Sequence, residues 1–170
     1  MKESNNLIYY YPGTSIRMIP GDVLYSHKTA LSSLVVGHSG IVGEDYLVYH
    51  VNKWGRKGHA DQMPIYLSRH KVGEKLTILR ANNPGEARNA AKWAKENIKR
   101  VRMYSYTRDL QDLGKNYCSK YVWQAFYFGS SGTNDLCNNG FHQASKQFIM
   151  PAQIYRNLDK IGIFDYDFRM

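Results

Sequence analysis

The segment His38-Ser39-Gly40-Ile41-Val42-Gly43-Glu44-Asp45-Tyr46-Leu47-Val48-Tyr49-His50 sets two apolar, β-rich runs on either side of Gly43-Glu44-Asp45. This pattern predicts a β-hairpin with its turn at 43–45. A hairpin commits the chain to an antiparallel sheet in which alternate side chains share a face. If Val42 pairs with Tyr46, the register carries His38 to a position opposite His50. Directly opposed side chains lie about 4.5–5.5 Å apart at Cβ, so one imidazole can fix the tautomer of the other and leave its far nitrogen as a base. The same placement also suits an ordinary exposed cross-strand pair, and a bulge at Gly43 would change the register. His27, His59, His70 and His142 have no such partner in the pattern and are expected at the surface.

Further short apolar runs at Val23 to Tyr25, Val35-Val36 and Leu76 to Leu79 are predicted strands of the same antiparallel sheet. The polar stretch from Val51 to Lys75 reads as a long excursion with at most a short helix or strand. Asn83, Pro84 and Glu86 are start signals for a helix running to about Arg100, with Ala87, Ala90, Ala91, Ala94 and Ile98 as its buried stripe. A second helix is predicted from about Asn116 to Phe128, ended by Gly129. Ser130 to Gly140 is loop by composition, and a last short helix should run from Pro151 to about Lys160. The expected fold class is α+β, in one domain over 1–170, a length that can build a core without disulfide or metal staples.

The predicted 116–128 helix places Cys118 in its first turn. Unpaired backbone N–H groups and the helix dipole there favour a thiolate, and the same groups can stabilise an oxyanion. A buried, inert cysteine is the plainer reading of the same residue. Only Cys118 and Cys137 occur in the chain, too few for a disulfide framework, although one bridge between them is possible. Cys137 and His142 have no second ligand pair nearby, so neither a metal nor a cofactor is expected.

The formal net charge of +9 favours anionic surroundings but names no substrate. No reader helix or basic arm accompanies it, so nucleic acid is not an expected partner. No apolar stretch is long enough to cross a bilayer, and no integral membrane segment is expected. The compartment reads as cytoplasmic, or as cell envelope or secreted if an export signal preceded Met1. Nothing in the sequence sets the oligomeric state.

Taken together, Pro20-Gly21-Asp22-Val23-Leu24-Tyr25, His38-Ser39-Gly40-Ile41-Val42 and Tyr117-Cys118-Ser119-Lys120-Tyr121-Val122-Trp123 resemble three motifs of the NlpC-type papain-like cysteine peptidases. They are a Gly-Asp strand, a His-x-Gly-Ile strand and a nucleophile helix. Histidine ahead of cysteine is similar to the order in the circularly permuted YiiX/YycO-like branch. The resemblance spans about Ile19 to Tyr155 and implies a permuted papain-like core, an antiparallel sheet packed on the helix that bears the nucleophile. It further implies Cys118 as nucleophile, His38 as base and His50 as third residue, with Tyr117, Ser39 and Asp22 lining the substrate site. The activity implied is cleavage of an amide bond, in a small peptide or cell-wall muropeptide, through an acyl-enzyme. Wall peptidases of the unpermuted family carry Asp where this chain has Tyr117, so their specificity is not carried over. Hydrolysis or transfer of a lipid acyl ester on the same three residues is the alternative reading. An inactive module that binds anionic wall polymer is another.

Overall fold

The computed structural model describes residues 7–27, 37–53, 57–70, 73–137 and 147–165. Its centre is a six-stranded sheet built from β1 (Val23–Ser26), β2 (His38–Val42), β3 (Val48–Val51), β4 (Gly58–Asp61), β5 (Lys75–Arg80) and β8 (Asp159–Asp165). The spatial order is β4-β3-β2-β1-β5-β8, with every neighbouring pair antiparallel. A small parallel pair, β6 (Met103–Tyr104) and β7 (Lys115–Asn116), lies apart. The helices are α1 (Met63–Ser68), α2 (Pro84–Asn97), α3 (Cys118–Gly129) and α4 (Pro151–Asn157). The result is the α+β class expected. No helix among the described residues is long and apolar enough to cross a membrane.

Alternation along the strands divides the apolar residues between two clusters. Val23, Tyr25, Ile41, Tyr49 and Val51 face α2 and α3, while Leu24, Val42, Val48, Leu76 and Ile78 meet Tyr66 and Leu67 of α1 and Tyr11. The alanine stripe of α2 is fully buried at Ala90, Ala91 and Ala94, and its small side chains let α3 approach closely. Tyr121 of α3 donates to the Ala94 carbonyl at 2.5 Å. Asn83 caps α2 by accepting from the Gly85 and Glu86 amides, as its sequence position predicts.

The hairpin register differs from the expectation by two residues. Ile41 pairs with Tyr49 and Val42 with Val48, because the turn extends through Leu47, whose carbonyl accepts from the Gly43 amide at 2.8 Å. Tyr46 takes a left-handed φ of 62° within it, a conformation that residue type does not announce. A slip of one residue would have sent the histidines to opposite faces, whereas a slip of two keeps them together. His38 and His50 are therefore diagonal rather than directly opposed.

Three other expectations need amendment. The 51–75 excursion holds both β4 and α1. The last helix ends at Asn157, and the chain turns at once into β8 on the free edge of β5. Within β8 only Phe164 is buried, so the strand carries almost no alternation for a sequence pattern to detect. The run Val35-Val36 falls outside the described residues, as does 138–140 of the predicted loop.

Asp22, just before β1, is fully buried. Its carboxylate accepts from Tyr11 Oη at 2.7 Å, the Ile19 amide at 3.0 Å, and Arg80 Nε and Nη2 at 2.7 and 2.8 Å. This pair locks the segment before β1 onto β5. Removing one partner of a buried pair strands a charge, so Arg80→Met should cost about 3–5 kcal/mol of folding free energy, read as a lowered urea midpoint at unchanged slope.

Candidate active site

The histidines of the hairpin are joined by a hydrogen bond, His38 Nε2 to His50 Nδ1 at 3.2 Å, with their rings edge-on. His50 Nε2 in turn meets Asp61 Oδ2 at 2.7 Å. Asp61 ends β4 and is itself held by Arg69 Nε at 2.7 Å and Nη2 at 3.2 Å. The order of proton positions follows from this chain. A carboxylate only accepts, so His50 carries its proton on Nε2 and offers the Nδ1 lone pair. His38 must then donate from Nε2, and its Nδ1 is left as an acceptor.

Burial lowers the basicity of both rings. His38 is held well below the ordinary imidazole range by desolvation and then by His50. His50 falls to about 4, because its desolvation outweighs the hydrogen bond from the Asp61 side that would raise it. For Asp61 burial acts upward, but the bonds from His50 and Arg69 win and keep it ionised well below the usual carboxylate range. The resting pair is neutral.

Two aromatic neighbours shape this face. Tyr66 of α1 packs edge-on against His50, ring centroids 4.9 Å apart, with its hydroxyl over Gly40. A Cβ at Gly40 would stand 3.2 Å from Tyr66 Oη, 3.3 Å from His50 Cβ and 2.9 Å from Val48 Cγ1. Glycine at the third place of the His-x-Gly-Ile motif thus makes room for the histidine pair. His70, expected at the surface, is buried and packs on Tyr66, its Nδ1 donating to the Tyr66 carbonyl at 2.9 Å. His59 is half-buried and stacks on His50. His27 is exposed, and His142 lies outside the described residues.

Cys118 is the first residue of α3, preceded by Tyr117 in extended conformation. It is a free, buried cysteine. The thiol lies against the amide and hydroxyl of Ser39, the neighbour of His38, and against Ser39's counterpart Ser119 on its own helix. Ser39 Oγ has no other hydrogen-bonding partner. The expected acidic thiol is not what results. Desolvation pushes the Cys118 pKa up, outweighing the Ser39 and Ser119 groups that lower it, so the resting form is a thiol rather than a thiolate. Cys137 is also free and buried; burial pushes its thiol to about 12.

The structure thus brings Cys118 and Ser39 together and ties His38 to His50. Tyr117 is buried, and its hydroxyl accepts from the Ile149 amide at 2.8 Å. That bond, with Ser119 Oγ donating to the Ile149 carbonyl at 2.6 Å, fastens the segment before α4 beside the nucleophile helix. Asp22 is elsewhere. It adjoins the Val42 end of β2, whereas His38 stands at the opposite end, across from Ser26, and all its acceptor capacity goes to Arg80, Tyr11 and Ile19.

A family model described as lipoprotein N-acylation protein LnsA-like matches residues 3–156. The chain belongs to this LnsA-like family. An uncharacterized 30.3 kDa protein of Bacillus thuringiensis is 27% identical over 124 residues, which are 67% of this chain and 46% of that one. The LnsA-like chain therefore spans less than half the length of that curated relative. The crystal structure of metalloprotein YiiX from Escherichia coli O157:H7 matches with a TM-score of 0.59 at 13% identity, over 88% of this chain and 98% of that one, a likeness of fold.

Asp61 and Arg69 are the site residues that sequence reasoning missed in the LnsA-like chain. Both lie in the stretch read as an excursion. The available signal was the alternation His59-Ala60-Asp61, a short strand whose outer residues share a face. The metal-capable group found among the described residues is on the same strands, His50, His59 and Asp61.

Proposed function

We propose that this protein is a papain-like cysteine acyltransferase, of the permuted order in which the histidine strand precedes the nucleophile helix. Cys118 carries the acyl group as a thioester, and an amine is the final acceptor. The reading is carried by one observation: the thiol at the start of α3 abuts Ser39, the residue that follows His38 along β2, and the tautomer of His38 is fixed through His50 by Asp61.

The steps balance without a cofactor. His38 Nδ1 takes the Cys118 proton as sulfur attacks the carbonyl carbon of an acyl ester. The C–O bond breaks, and the same proton passes from His38 to the departing alkoxide. An amine then attacks the thioester, a C–N bond forms, the C–S bond breaks, and the amine's proton returns by way of His38 to sulfur. The Cys118 amide at the helix start, with the Ser39 groups nearby, faces the oxyanion that develops in each step. His50 holds the His38 ring through Nε2, so that Nδ1 stays the nitrogen that takes and returns the proton. A neutral resting thiol suits this order of events, since proton transfer accompanies attack rather than preceding it.

An acyl-lipid donor is favoured over a peptide by the surface beside α3. Met103, Tyr106, Phe148 and Met150 are exposed. Tyr106 stacks near Tyr117 at 5.2 Å, and Phe148 and Met150 flank Ile149, which is bonded to Tyr117 and Ser119. Exposed apolar side chains therefore border the segment that is bonded to both sequence neighbours of the thiol. The family's description, lipoprotein N-acylation, fits an acyl chain as the group in transit.

The experiment is incubation with a diacyl phospholipid, then intact-mass measurement before and after hydroxylamine. One acyl group should add at Cys118 and leave with hydroxylamine, as a thioester does. Transfer to water alone, whatever amine is supplied, would make the enzyme a hydrolase. Absence of any Cys118 adduct with lipid, simple ester or peptide donors would end the acyl-enzyme reading.

A further inference from the structure

The β3–β4 register sets His50 directly opposite His59, and the two rings stack with centroids 5.0 Å apart and an interplanar angle of 18°. Asp61, two residues along β4, shares the face of His59. One donor atom from each of the three lies within 4.8 Å of the others. Two imidazoles and a carboxylate are a donor set suited to zinc, with a fourth position open to water.

Positive charge already rests at this point. The Arg69 guanidinium is 2.7 Å from Asp61 Oδ2 through Nε and 3.2 Å from Oδ1 through Nη2. Its Nη2 is also 3.3 Å from His59 Nδ1. A guanidinium only donates, so His59 presents the Nδ1 lone pair toward the cation. Arg69 is 30% exposed and can withdraw into solvent. With Zn–N near 2.0–2.1 Å, ligand atoms of a tetrahedral site stand about 3.3 Å apart, so the set closes when the His50–Asp61 contact of 2.7 Å opens by roughly half an ångström and donors now up to 4.8 Å apart draw together.

We propose that His50, His59 and Asp61 form a site for a divalent zinc ion that competes with Arg69 and, when filled, switches the enzyme off. The ion binds the Nε2 lone pair of His50, which obliges that ring to carry its proton on Nδ1. His50 then donates to His38 Nε2 instead of accepting from it. His38 in turn moves its own proton to Nδ1, the nitrogen that must be empty to receive the Cys118 proton. Neither ring gains or loses a proton overall; both change tautomer. The inhibitory consequence rests on the acyl-transfer reading above, while the binding site itself does not.

Zinc binding to the full chain, freed of metal by a chelator, is measured by calorimetric titration for the wild type, Cys118→Ala and His59→Phe. Phenylalanine keeps a ring stacked on His50 and removes both nitrogens; His59→Gln serves if circular dichroism shows that His59→Phe does not fold. One zinc per chain is expected in the wild type and in Cys118→Ala, with affinity down by about tenfold or more in His59→Phe. Nitrogen-15 spectra of Cys118→Ala should show the His38 and His50 protons moving from Nε2 to Nδ1 as zinc is added. Added zinc should stop acyl transfer by the wild type and leave the rate of His59→Phe as it is without zinc, each protein being read against its own zinc-free rate. Equal zinc affinity in His59→Phe, or loss of binding in Cys118→Ala, overturns the proposal, the latter by placing the ion on the thiol. Unchanged tautomers at zinc saturation overturn the switching step. If zinc binds as described but zinc-free protein never forms a Cys118 thioester, the acyl-transfer reading fails and the metal site stands.

Discussion

Cys118→Ala will stop acyl transfer, lowering the rate by about 10⁴-fold or more, because loss of a nucleophile removes the covalent route and leaves only binding and oxyanion contacts. The fold should survive. Cys118 is buried at the start of α3, and trading its sulfur for a hydrogen removes a small apolar group worth about 1 kcal/mol. Two readouts are paired: product release from an acyl ester, and the mass of the protein after incubation with donor. The wild type should gain one hydroxylamine-labile acyl group and the variant none, with similar urea midpoints. Undiminished turnover in the variant would show that sulfur is not the attacking atom.

Asp61→Asn should lower kcat by about 10²–10⁴-fold with little change in KM, the pattern expected when the orienter of a base is replaced by a residue of the same shape. Asparagine can accept or donate, so it no longer obliges His50 to keep its proton on Nε2. Once His50 adopts the other tautomer, it donates to His38 Nε2 and the His38 nitrogen required as base becomes occupied. Asp61 stands behind His50, on the nitrogen away from His38, which is why the effect falls on kcat. Alkylation of Cys118 by iodoacetamide should slow in parallel, because it draws on the same base. Arg69→Gln is the comparison: Arg69 holds Asp61 from the outer side but does not select the tautomer, so a smaller loss, about tenfold, is expected. If the two variants lose activity equally, Asp61 acts by bracing the strand edge rather than by ordering protons.

How far the site was legible depends on what each residue needs from its surroundings. His38 and His50 were found because alternation is local: any register differing by an even number keeps them on one face. The misplaced turn, which Tyr46 resolves with a left-handed φ, cost two residues of register and left the pairing intact. Cys118 at a helix start was legible from the helix pattern that follows it, and the small-residue stripe of α2 from its spacing. The state of the thiol was not, since a helix terminus lowers a pKa and burial raises it, and the balance depends on how tightly β2 covers the sulfur. Asp22 illustrates the converse. Its Gly-Asp motif was visible, but the partner that uses up its carboxylate, Arg80, is far along the chain.

The sequence by itself determined the α+β class, the hairpin that carries both histidines, the small-residue helix and the position of the cysteine in a first helical turn. All of these follow from periodicity and end signals within about a dozen residues. Only the tertiary structure decided that β8 closes the sheet edge, that Asp61 and Arg69 complete the histidine chain, and that His59 stacks beside it. Those are meetings between segments with no periodic mark of their own, and their geometry exists only once the sheet has formed. The proton order along Asp61, His50 and His38 is the clearest case, because a tautomer is set by the partner of the opposite nitrogen and no residue carries that information alone.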